Sequence, residues 1–490
     1  MSQALPPYKD EKFLGQHDDT KQVLPAGFVY RAENVLLENG RYRSRGGWQT
    51  LGTQIAANDI QGLLSWEERD GTQHLTAICN GAHYEWNGSS WALQASGMSI
   101  DPSAQVDMIE FNGKLIVTDG VNQPWQWDGA STWTQPLNAE SVICKQLANY
   151  YVKLFLLDQN AVTNRIAWSY EGDVTNAQSF DPTNQWDFGQ TDQGRIYGGV
   201  GHNERILIFK QDSVSAIRGP VDAAFQTDAV REGVSTTIGA ISGHAICIGD
   251  NEGTYFLSQL GPMRVGQGAM ALTDIAMGSN GEEFLRETWT RVNRQYWENS
   301  WAVYYRPENL IIFGVPLDSD SIPAHALVYQ IDEHAWCLWD LLSGTNHTCA
   351  TVYEDANGDE WLVMGNSSGY VTAYRPGVYN DQQFGIPRRI VTRDYGRESD
   401  LLQKVFGRVD LSLEVDGRST LRVTPVKEDD VLPTKGAVVE GTGRKKYSRG
   451  LNVFGPYCRF EIRADQPDED FVLAGITVFS SAVSGEPQSA

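Results

Sequence analysis

The chain has 490 residues, 41% of them hydrophobic and 11% aromatic, with 15 Trp, 48 Gly and a formal net charge of −23. That much apolar material excludes a disordered chain, and the lack of any apolar run of ~18 residues excludes membrane insertion. The acidic balance repels phosphate and excludes tight nucleic-acid binding.

The start, MSQALPPYKDEKF, has neither a basic stretch nor an apolar core, so no signal peptide is expected. Residues 1–50 read as an arm leading to a β-hairpin, with Asn39-Gly40 between VLLE and RYRSR. From residue 51 a strand–turn–strand grammar takes over. HLTAICNGAHYEW and VDMIEFNGKLIVTDG are alternating hairpins, the second around Asn112-Gly113. RIYGGVGHNERILIFKQDSVSAIRG turns at His202-Asn203, and HAICIGDNEGTYFL turns at Asn251-Glu252-Gly253.

A phrase recurs within this region: EWNGSSW at Glu85 and QWDGASTW at Gln126. Trp86 and Trp127 are 41 residues apart, and equal steps reach Trp168 and Phe209. Two positions earlier stand Tyr84, Trp125, Ile166 and Leu207, on the same strand face. A period near 40 residues in an all-β pattern predicts propeller blades with these four residues as equivalent core positions. Residues 51–380 hold material for six to eight blades. A helical insertion is expected near 281–296, where Phe284, Leu285, Trp289 and Val292 approach helical spacing.

After Pro387 the grammar changes. Residues 381–490 read as an additional antiparallel β domain, to which the N-terminal hairpin is a candidate contributor. Its last residues, SGEPQSA, are expected to be mobile. From Ile386 to Gly450 it carries 14 Lys and Arg against 10 Asp and Glu, reversing the sign of the rest. Within it GRKKYSR, Gly443 to Arg449, reads as a basic loop. Arg388, Arg389, Arg444, Lys445, Lys446 and Arg449 are the candidate residues for docking a neighbouring subunit or an acidic adaptor.

Motifs of chemistry are weak. Gly365-Asn366-Ser367-Ser368-Gly369 fits GxSxG, but YVTAY follows as a strand where a nucleophile elbow needs a helix. Asp355, Asn357 and Asp359 open like a calcium loop, but Glu360 replaces the glycine and the closing Glu is missing. Cys79, Cys144, Cys247, Cys337, Cys349 and Cys458 form no CxxC, which suits buried thiols in a reducing compartment. The histidines show no metal-ligand spacing. No catalytic residue, cofactor or metal is expected. Asn87-Gly88-Ser89-Ser90-Trp91 resembles the end of an Asp-box, the turn of sialidase-type propellers. The arginine cluster and Phe-Arg-Ile-Pro signature of those enzymes are not recognisable, so a glycan-binding or glycan-cleaving propeller is the alternative reading.

Five stretches together resemble the tail-nozzle, or packaged-DNA stabilisation, proteins of short-tailed bacteriophages. They are ENVLLENGRYRSRGGW, VGHNERILIFKQDSVSAIRG, ISGHAICIGDNEGTYFLSQLGPMRVG, the 281–296 segment with SWAVYYRPENLIIFGVPL, and YGRESDLLQKVFGRVDLSLEVDG. The resemblance implies a non-enzymatic virion protein, assembled in the host cytoplasm as a homo-hexameric ring at the distal end of the tail. It further implies contact with a tail adaptor or connector and with fibres or spikes. Such a ring retains the packaged genome and then passes it through its lumen without specific binding.

Overall fold

The computed structural model describes residues 2–483, apart from 20–22, 95–96, 131–132, 136–141, 161, 170–183, 189–193, 203, 221–224, 250–252, 267–270, 279–282, 343–344, 356, 398–401 and 428–429. The turns expected at Asn203 and at Asn251-Glu252 and the tail from residue 484 lie outside the described residues. The fold is all-β: a β-propeller joined to an antiparallel β-sandwich.

Among the described residues the propeller has seven blades. Blade one is Ile60–Glu67, Gln73–Cys79, Ala82–Trp86 and Trp91–Leu93. Blade two is Asp107–Phe111, Lys114–Thr118 and Trp125–Trp127, with a single bridge from Gln126 to Thr134 where a fourth strand would lie. Blade three is Cys144–Tyr150, Lys153–Gln159, Arg165–Trp168 and Gln185–Asp187; blade four is Ile196–His202, Arg205–Lys210, Val214–Arg218 and Val230–Ser235. Blade five is Ile246–Gly249, Gly253–Leu257, Pro262–Val265 and Leu272–Asp274; blade six is Trp301–Tyr305, Leu310–Val315, His325–Gln330 and Ala335–Asp340. Blade seven is His347–Glu354, Glu360–Asn366 and Val371–Arg375, and its fourth strand is Gly47–Thr50 from the start of the chain.

The second strand of each blade explains why these segments read as unbroken apolar runs. In blade four Ile206 and Ile208 pack toward blade three, while Leu207 and Phe209 pack toward blade five. A strand covered on both faces loses the apolar–polar alternation of a half-exposed one. Such shared cores follow one another round the whole ring. The last of them joins Val363 and Val371 of blade seven to Ile60 and Leu75 of blade one. At that seam Gly365 has no room for a side chain, because a Cβ would lie 2.5 Å from Ile60.

The second body is built from both ends of the chain. One of its sheets runs Gly443–Gly455, Lys404–Val415, Val472–Val483, Arg41–Ser44, Val35–Glu38, with Ser2–Ala4 and Tyr8–Asp10 also pairing on Val472–Val483. The facing sheet contains Phe28–Glu33, Arg388–Thr392, Arg459–Ala464, Arg418–Lys427 and Lys435–Glu440. Leu338 of blade six pairs with Glu33, so blade six continues into this sheet. The N-terminal hairpin around Asn39-Gly40 therefore does join the C-terminal strands. Residues 1–50 are not a separate arm, because their strands are shared between the sandwich and blade seven.

The junction of the two bodies is held by Arg45, which is fully buried. Its guanidinium donates to Asn34 Oδ1 at 2.9 Å, Gly46 O at 2.7 Å, Asp340 O at 3.1 Å and both oxygens of Asp381 at 3.0 and 2.8 Å. It lies 5.8 Å from the ring centre of Trp48. These partners come from the N-terminal segment, blade six and the linker after blade seven.

Among the described residues of the helix expected near 281–296 there is only a turn, Arg286–Thr290, followed by a 3₁₀ turn, Trp297–Asn299. Another short helix, Phe225–Asp228, was not expected. The spacing of Leu285 and Val292 reflects burial between blades five and six rather than helix length. Two threonines of low helix propensity, Thr288 and Thr290, stand in the turn, and Val292 already bridges to Leu317. The turn is capped from a distance. Asp18 accepts from the Glu287 and Thr288 N–H groups at 2.9 and 2.7 Å.

Candidate functional site

The starts of the innermost strands and the turns between second and third strands converge at one mouth of the propeller channel. Asp101, Asp119, Lys145, Gln146, Asp158, Arg195, Tyr197, Ser242, His244 and Glu298 line a cavity there of about 370 Å³. Arg195 lies 3.1 Å from Asp158 and 3.7 Å from Glu298, and 4.7 Å from the ring centre of Tyr197. The Tyr197 hydroxyl donates to Glu298 at 3.0 Å. Burial, with the Glu298 carboxylate adding to it, pushes Tyr197 up to about 12.

His244 faces Gln146, Nε2 to Nε2, at 3.1 Å. Burial pulls His244 down to about 4, so the ring is neutral at pH 7 and its Nε2 accepts from the amide. The Ser242 hydroxyl points at the carbonyls of Glu298 and Ser300, 2.8 Å from each, rather than at a base. Asp119 is used by its own turn, accepting from the Val121 and Asn122 N–H groups at 2.9 and 2.7 Å. Just below the mouth, burial raises Asp107 to about 7, although its carboxylate accepts from Leu147 N–H at 2.6 Å. The mouth is thus an acid-leaning ring of mutually engaged groups, with Lys145 exposed at its rim.

The blade positions chosen from sequence separate into two kinds. Trp86, Trp127 and Trp168 are each the last residue of the third strand of blades one, two and three. Trp127 and Trp168 are buried, whereas Trp86 is half-buried against Trp91 with ring centres 5.5 Å apart. Phe209 is buried but lies in the second strand of blade four, where the equivalent residue is Arg218. The step of 41 fails because a long connection, 169–184, separates the third and fourth strands of blade three.

The basic set is also divided. GRKKYSR is not a loop but the start of the thirteen-residue strand Gly443–Gly455 at the sheet edge. Arg444 and Lys446 are exposed on it, pairing with Glu414 and Asp410 at 2.9 and 2.8 Å, and Lys445 is half-exposed. Arg388 and Arg449 are buried and cannot dock a partner. Burial pulls Arg388 down to about 10, and Arg449 donates to the carbonyls of Val423 and Pro433. Arg389 is half-buried between Glu461 at 2.6 Å and Glu33 at 3.2 Å. Sequence shows charge but not strand phase in a segment lacking apolar alternation, which is why buried and exposed cations looked alike.

The remaining motifs are turns. Asn366 Oδ1 accepts from the Ser368 and Tyr370 N–H groups, each at 2.9 Å, and Asn87 Oδ1 caps its turn through the Ser89 and Ser90 N–H groups. Asp355 accepts from Asn357 N–H at 2.8 Å and Asp359 N–H at 3.1 Å. All six cysteines are free. Burial raises Cys79 to about 11 and Cys144, Cys349 and Cys458 to about 12, which keeps them as unreactive thiols. Among the described residues no group of three His, Cys, Asp or Glu side chains is placed to hold a metal.

No protein-family model and no curated protein matches the chain. Solved structures do. It is similar to the N-terminal domain of Nup159, with 10% identity over 70% of this chain and 98% of that one and a TM-score of 0.42. It is similar to a catalytically inactive virginiamycin B lyase from Staphylococcus aureus with quinupristin, with 9% identity over 66% and 98% and a TM-score of 0.45. The Pan2 WD40 domain of Neurospora crassa gives 7% identity over 68% and 98%, with a TM-score of 0.42.

Proposed function

We propose that this protein is a structural subunit of a short-tailed phage virion. In this reading six copies form the ring at the distal part of the tail, the nozzle, which holds the packaged genome back and then conducts it out. The observation that carries the reading is the fusion at the junction. The sheet of blade six continues into the sandwich, the first residues of the chain close blade seven, and Arg45 binds the parts together. A propeller hides its sheet edges by radial repetition, and its shared sheet with the sandwich supports the reading of a stiff conduit wall.

The electrostatics support the same role. A net charge of −23 makes a wall that phosphates slide past. The acids of the mouth are engaged with neighbouring side chains and turns, an arrangement that holds shape. The sandwich offers strands for an adaptor or connector above and for fibres or spikes beside it.

Electron microscopy of the purified protein tests this. Rings of six copies are expected. A stable 54.4 kDa monomer that binds or cleaves glycans would overturn the proposal.

A further inference from the structure

The hairpin tip between the first and second strands of blade three is Tyr151-Val152. Tyr151 has a φ of +51°, a left-handed conformation that a bulky side chain resists. The tips at residues 39–40, 80–81 and 112–113 meet the same demand with Asn-Gly. Here the chain instead holds a tyrosine there, and 56% of it faces solvent. Val152 beside it is 46% exposed, and Val230, at the start of blade four's outer strand, is 58% exposed. Tyr150 fixes the tip from beneath, its buried hydroxyl donating to Glu204 O at 2.7 Å. The groove around them holds about 630 Å³ and is rimmed by Glu204, Asp228 and Glu232, with Arg218 as its one cation among the lining residues. An exposed aromatic kept in a strained turn beside two exposed valines is an anchor in search of a partner.

The same chain carries a surface of opposite character. The strand Gly443–Gly455 lies at the end of its sheet, and its outer edge pairs with no strand among the described residues. Arg444, Lys445 and Lys446, with Arg41 and Arg408 beside them, outnumber Glu414 and Asp410. Phe454, near the far end, is 52% exposed. The two surfaces match in kind, acid-rimmed and apolar against basic and apolar. The sandwich is attached at blades six and seven, and the tyrosine groove sits across the ring at blades three and four.

We propose that the Tyr151 groove of one copy receives the basic edge strand 443–455 of a second copy. The contact is head-to-tail, the type that closes into a ring when the rotation between copies permits. This inference rests on the ring reading above and names the surfaces that would build it.

Two chains test it, each damaged on one surface. Tyr151→Gly with Val230→Asp damages the groove, and Phe454→Asp with Lys446→Glu damages the strand. Tyr151→Gly also relieves the strained φ, so a folding defect is not expected from it, and thermal unfolding and circular dichroism check both chains. By size-exclusion chromatography with light scattering, the wild type is expected to assemble and each damaged chain alone to remain monomeric. Half-assembly should need about 30-fold more protein, the effect of losing one interface hot spot. Mixed together, the two chains should form two-copy complexes and stop there, since each retains one intact surface. Assembly of the wild type should weaken with salt. If the damaged chains assemble like wild type, or lose assembly without forming the mixed dimer, this contact is overturned while the ring reading stands. A wild type that is monomeric at every concentration overturns both.

Discussion

Trp127 and Trp86 were indistinguishable in the repeated phrase, yet their surroundings differ. Trp127 is 3% exposed, with Trp66 and Trp133 at ring-centre distances of 5.8 and 6.0 Å. Trp127→Ala should cost ~3–5 kcal/mol, the usual penalty for emptying a large aromatic site, and Trp86→Ala clearly less. Chemical denaturation of the two variants checks this order. Arg45 makes a sharper case. A lysine keeps the charge but not the planar fork that meets Asn34, Asp340 and Asp381 together, so Arg45→Lys should cost about 1.5–3 kcal/mol by chemical denaturation, the worth of hydrogen bonds made by a charged group. Neighbouring histidines in blade one respond oppositely to pH. His74 lies between Glu68 and Glu85 at 2.7 and 2.8 Å and stacks on Trp66 at 4.4 Å. Burial pulls it down, but the hydrogen bonds and charges of Glu85 and Glu68 outweigh that and hold it above the ordinary histidine value. Its stabilisation is complete below the unfolded value of about 6.5 and is lost as pH rises through the raised folded value. His83 is driven by burial to about 3, with the His74 charge acting in the same direction. Its contribution is present above about 6.5 and lost as pH falls toward the folded value. His74→Gln should therefore flatten the alkaline side of the stability profile and His83→Phe the acidic side. A pH series of thermal midpoints distinguishes them.

Among the elements, those with strong local chemistry were legible in the sequence. Asn39-Gly40 and Asn112-Gly113 are hairpin tips as expected, and the apolar second strands announce themselves by composition. What could not be read depends on distant partners. Nothing local in GWQT says that Gly47–Thr50 completes a blade whose other strands begin at residue 347. The start of strand Gly443–Gly455, Gly443 to Arg449, reads as a loop because Arg444, Lys446 and Ser448 on it are exposed and only Arg449 within it is buried. The mouth was invisible for the same reason. Asp158, Arg195, His244 and Glu298 come from separate segments, and only the circular order of the blades brings them together. Because Gly47–Thr50 is shared in this way, removing residues 1–50 should unfold the chain rather than trim it. Expression of the truncated protein should give material without native near-ultraviolet circular dichroism or protease resistance.

For the molecule as a whole, the continuous sheet from blade six into the sandwich couples the unfolding of the two bodies. Calorimetry should show one cooperative transition for the wild type, and two if Arg45→Lys loosens the junction. The shared outer strand of blade seven also has a consequence in time. The first fifty residues leave the ribosome long before either of their destinations exists, and they must wait for segments made last. Blade seven can close once Val371–Arg375 has been made, whereas the sandwich is incomplete until Val472–Val483 emerges. The topology thus defers completion of the sandwich to the last of its strands to be synthesised.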